Sequence, residues 1–89
     1  MKKPNCEYHP TSIKGFTLKQ LAVAVGDLRY DKKAEFLSHL SDKLQADSKD
    51  DRDGNRPRLA GFLGYAAREI KSAQKQILRC WGICKPYMT

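Results

Sequence analysis

Long apolar runs are missing from the sequence, and no stretch approaches the about 20 uncharged residues that a helix needs to cross a bilayer. Glycine and proline are scarce, 6 and 4 residues in 89, which excludes collagen-like and low-complexity chains. Cysteine is present only three times, an odd number that does not suit a disulfide framework. Aromatics are few, 9% of the residues with a single Trp. Met1, Lys2 and Lys3 would suit the start of a signal peptide, but Pro4 to Pro10 follow where such a peptide needs an apolar run. The expected setting is cytoplasmic, with reduced thiols.

What is present is a charge-rich, helix-forming composition of 10.1 kDa, enough for one domain. Residues 1–16 contain Pro4, Pro10 and Gly15 without a sustained period and read as an extended N-terminal arm; residues 17–89 read as a single helical domain. Behind Thr17, a cap-type residue, Leu18, Leu21, Ala22, Val25 and Leu28 recur at helical spacing, which predicts a first helix over about 17–28. Asp31 is a candidate cap for a second helix over about 31–48, whose apolar line is Leu37, Leu40 and Leu44 with Phe36 beside it. A polar turn over 49–58 follows, with Gly54 as punctuation and Pro57 suited to the first turn of the next helix.

The third helix, over about 57–82, carries the clearest pattern. Leu59, Leu63, Ala66, Ile70, Ala73, Ile77 and Cys80 alternate spacings of four and three. The apolar arc also takes in Phe62 on one flank and Ala67, Leu78 and Trp81 on the other, wider than a single partner helix covers. An all-α, three-helix domain follows. The second and third helices form a long antiparallel hairpin, and the short first helix is a lid whose Leu21 and Val25 lie over the overhanging end near Ile77 to Trp81.

The charge balance, 17 Lys and Arg against 10 Asp and Glu, favours polyanions or acidic protein surfaces. Arg68, Lys71, Lys75 and Arg79 fall on one face of the third helix, and Arg52, Arg56 and Arg58 sit in the turn at its start. Together they are the residues a non-specific nucleic-acid binder would use, although helix surfaces ordinarily carry such charge. The second helix puts Glu35, Asp42 and Asp47 near any polyanion docked there. Leu21-Ala22 and Val25-Gly26 resemble part of a helix-turn-helix, but Asp27, Lys32 and Glu35 then occupy positions that must be apolar.

Cys6, His9, Cys80 and Cys84 have the composition of a zinc set. Because Cys80 falls on the apolar line, the expectation is a packed thiol there and no metal. Asp51, Asp53 and Gly54 match part of a calcium loop, but Lys49 and Ala60 stand where its first and last carboxylates belong. His39 lies opposite Leu37 and Leu44, and no phosphate loop, nucleophile motif or paired-acid cleft is present, so no catalytic role or cofactor is expected.

The expected function is therefore binding, most simply to another protein, in an adaptor or regulatory capacity. The candidate contact residues are Gly61, Gly64 and Tyr65 with Arg68 on the outer face of the third helix, together with Trp81 and Tyr87 near its end. Aromatic and Arg side chains are favoured anchors of such contacts. Nucleic acid is the alternative partner.

Overall fold

The computed structural model describes residues 9–87. It contains three helices, α1 (Leu18–Gly26), α2 (Tyr30–Asp53) and α3 (Pro57–Cys84), and a closing 3-10 turn at Lys85–Tyr87. The fold is all-α: α2 and α3 pair as an antiparallel hairpin, and the short α1 packs at its open end. Ahead of α1 the described chain is exposed and non-helical. It makes one tight turn, in which Phe16 N–H donates to the Ile13 carbonyl at 3.1 Å and Gly15 adopts φ 90°, a conformation glycine takes without steric cost.

The start of α1 is specified locally. Thr17 Oγ1 accepts from Gln20 N–H at 3.0 Å, and Gln20 Oε1 accepts from Thr17 N–H at 2.8 Å, a reciprocal box that satisfies two otherwise free donors. Gly26 closes the helix. Asp31 does not cap α2 as expected; it lies within the first turn, behind Arg29. There it suits the positive end of the helix and accepts a two-pronged contact from Arg29, Nε to Oδ1 at 2.6 Å and Nη2 to Oδ2 at 2.8 Å.

The second helix runs to Asp53, past the expected end at Ser48. Nothing between Lys49 and Asp53 breaks a helix, and Arg52 in the last turn suits its negative end. The reversal occupies only residues 54–56. Asn55 takes the left-handed conformation, φ 64°, and Pro57 opens α3. Arg56 folds back to bind Asp51, Nε to Oδ1 at 2.8 Å, with both side chains mostly buried. A Cβ on Gly54 would stand 2.8 Å from the Arg56 guanidinium, so the absence of a side chain there gives that ion pair its room.

The hairpin is held by small residues. The fully buried positions are Ala34, Ser41 and Ser48 on α2 and Ala60 and Ala67 on α3, each seven residues from the next along its helix. Ser41 Oγ donates to the Ala67 carbonyl at 2.8 Å, and Ser48 Oγ donates to the Ala60 carbonyl at 2.6 Å. These bonds satisfy the buried hydroxyls and fix the register, and at these two levels they bring the helices so close that only small side chains fit. Gly64 belongs to the same approach, since a Cβ there would lie 3.3 Å from Ser48 Oγ.

The line of α3 against α2 is therefore Ala60, Leu63, Ala67, Ile70, Gln74, Ile77, Trp81 and Cys84, all at least half-buried. Leu63, Ile70 and Ile77 are shared with the expected line, but Ala60, Ala67, Gln74, Trp81 and Cys84 replace Leu59, Ala66, Ala73 and Cys80 as its other members. On α2 the corresponding line is Ala34, Leu37, Ser41, Leu44 and Ser48; Leu40 and Phe36 turn away and are exposed. In this register Tyr30 stands level with Leu78, and α3 runs past the start of α2 over residues 79–84. The first helix meets the hairpin through α2.

Candidate interaction surface

The outer surface of α3 follows from its turn of about 100° per residue. Gly61, Tyr65 and Arg68 share one exposed face, and the Arg68 guanidinium lies 5.7 Å from the Tyr65 ring centroid. Tyr65, Arg68, Glu69 and Ser72 line a shallow depression there. An aromatic ring held against a guanidinium gives a partner a partly ordered anchor with donors at its rim.

Of the other expected contact residues, Gly64 is displaced from the outer surface to the hairpin seam, where its role is close helix approach. Trp81 lies about 24 Å further along the helix and is half-buried, with the Arg29 guanidinium 5.0 Å from its centroid. That contact joins the link after α1 to the end of α3. Tyr87, 84% exposed in the closing turn, shares this end of the molecule and not the Tyr65 face.

The basic residues are unevenly committed. Arg56 is bound to Asp51, Lys71 Nζ lies 3.8 Å from Asp42 Oδ1, and Arg79 donates to Gln76 Oε1 at 3.4 Å. Among the described residues Arg52, Arg58 and Lys75 make no ion pair, so they are the uncommitted cations of that set. Asp42 on α2 thus sits beside the basic face, as the sequence predicts. Elsewhere, the Arg29 hydrogen bond holds the Asp31 carboxyl below the usual carboxylate range, and Asp47 raises the Lys43 ammonium.

Cys80 and Cys84 carry free thiols and are half-buried. Cys6 lies outside the described residues, and His9 is exposed at their edge. Among the described residues no three His, Cys, Asp or Glu side chains gather into a metal-binding group. His39 is exposed, with Nε2 3.8 Å from Glu35 Oε1. No described helix is long and apolar enough to cross a membrane.

The feature least visible in the sequence is an apolar face on the flank opposite Arg68. Phe62 is 70% exposed, Phe36 43% and Leu40 37%. Its signal was the apolar arc of α3, too wide for one partner. The chain matches no family model, and no curated protein or solved structure is similar to it.

Proposed function

We propose that the chain is a small basic binding module that docks on another protein through the outer face of α3, with Tyr65 and Arg68 as its anchor. In this reading it works in the cytoplasm as an adaptor or regulator, without a cofactor and without catalysing a reaction. The stacked Tyr65–Arg68 pair beside the Glu69 and Ser72 depression carries the reading. Tyr and Arg combine apolar area with directed donors, and a pair already in contact loses less freedom on binding than two separate side chains.

A nucleic-acid partner is the less supported alternative. The cations it would use are interleaved with acids, Asp42 beside Lys71 and Asp51 on Arg56, which lowers the potential that phosphates would meet. Affinity capture from the source cell, with and without nuclease, separates the two. The expected result is a protein partner that survives digestion and is lost with Tyr65→Ala and Arg68→Ala. Loss of partners on digestion, or capture indifferent to both substitutions, would overturn the reading.

A further inference from the structure

We infer that a second copy of the chain covers the apolar face formed by Phe36 and Leu40 of α2 with Leu59, Phe62, Ala66 and Ala73 of α3. This contact centres on the flank opposite Arg68, with Tyr65 at its border, and goes beyond the reading above.

The two flanks of the hairpin differ in kind. Ser41, Asp42, Gln45, Ala67, Arg68 and Lys71 line one groove, which fixes the polar flank. Leu59, Phe62, Ala66, Ala73 and Cys80 fall on the other side of the α3 seam, and none is charged. Phe36 and Leu40 turn away from Asp42 on α2 and so come to that same side, where the ion-paired Lys43 and Asp47 continue their line toward the turn. The first helix leaves the α3 part of this face open: it meets the hairpin through α2 and not α3, and Phe62 and Ala73 are exposed.

Area argues for an occupant. A compact monomer of 10.1 kDa exposes about 5300 Å². This chain exposes 7372 Å². The exposed segment ahead of α1 contributes to the excess together with the flat hairpin, and a standard interface needs about 800 Å² from each partner. The radius of gyration, 16.0 Å, likewise exceeds the about 12 Å of a compact chain this long. Among the described residues no side chain larger than Ser is fully buried, so the large apolar groups of the seam, such as Leu63, Ile70 and Ile77, are only partly covered within one chain. A second hairpin laid on this face supplies one, as in a four-helix bundle.

Size and charge make the face complementary to itself when the two copies run in opposite directions. In the register set by the two serine bonds, Phe62 lies toward the turn, and Phe36 and Ala73 lie toward the open end. An opposed copy sets each Phe62 against the small Ala73 and beside Phe36, with Ala66 near the axis, where helices can approach closely. Residues 30–41 and 68–87, the open half, carry seven bases against three acids, whereas the turn half, 42–67, is balanced at five and five. Opposed copies keep the two positive halves apart.

Sedimentation equilibrium of the full chain between about 1 and 100 µM tests this. The expected result is the mass of two chains. Phe62→Glu and Phe36→Glu, both at exposed positions of the single hairpin, each raise the dissociation constant about 30-fold or more while helicity by circular dichroism is kept. Arg68→Glu, on the other flank, leaves the dimer intact. A one-chain mass throughout that range, or a two-chain mass that survives both Phe substitutions, overturns the proposal. The capture experiment stays distinguishable through Arg68→Ala, because Arg68 lies on the opposite flank, whereas Tyr65 borders this face.

Discussion

Asp31 shows how one side chain does several tasks at a helix start. Its carboxylate faces the positive end of α2, takes the two-pronged contact from Arg29, and so holds the guanidinium that lies over Trp81. The link between α1 and α2 is thereby tied to the end of α3. The Arg29 hydrogen bond lowers the folded-state pKa of Asp31 below its unfolded value of about 4. A depressed carboxyl contributes stability above its unfolded pKa and loses it as pH falls through the folded value. Asp31→Asn is therefore expected to lower the melting temperature at pH 7, and the difference from the parent should shrink as pH is taken below about 4. Thermal melts of both proteins across that range check it; a difference that is constant down to pH 2 would show that the ion pair is not its source. Arg56 and Asp51 play the comparable part at the turn, in a more buried setting.

At the scale of the helix, small residues decide how α2 and α3 meet. Ser41 and Ser48 give their hydroxyl protons to carbonyls of the facing helix, which is reached only because Ala60 and Ala67 bring no bulk to the seam. Ala67→Leu should cost about 1–3 kcal/mol by forcing the helices apart, whereas Lys75→Ala on the exposed face should cost little. Urea midpoints of the two variants check this, and equal shifts would mean that the seam is misplaced. The spacing of Leu63, Ile70 and Ile77 made the core-facing side of α3 readable within about one helical position, and Thr17 made the start of α1 readable, while the reciprocal bond from Gln20 emerged only in the structure. The finer register was not readable, because hydrophobicity ranks Leu59 above Ala60 and cannot separate Ala66 from Ala67, while closeness of approach rewards the smaller side chain at 60. The end of α2 was missed because Lys49 to Asp53, polar enough for a loop, contain no helix breaker. Of the candidate site, Tyr65 and Arg68 share the outer face as their spacing implies; Gly64 was misjudged because a glycine in a close seam and one on an outer face look alike in sequence.

For the whole molecule, the seam and the open face are two halves of one pattern. The apolar arc of α3 is wide because it serves two contacts, one with α2 and one on the flank that carries Phe62 and Ala66. The first helix, nine residues long and tethered at the open end, accounts for no more than that end of the hairpin. The remaining surface is divided between a basic flank, a Tyr65–Arg68 anchor and an apolar face, so one chain can associate with its own kind and leave the anchor free. Principal extents of 55 × 28 × 13 Å describe a flat, elongated body, and a second copy laid on the broad face adds to the shortest dimension while leaving the longest almost unchanged. Small-angle X-ray scattering reads mass and shape together and is the most direct measurement of this claim. The account predicts the mass of two chains with a maximum dimension close to that of one; the mass of one chain, or of two chains joined end to end at nearly twice that length, would contradict it.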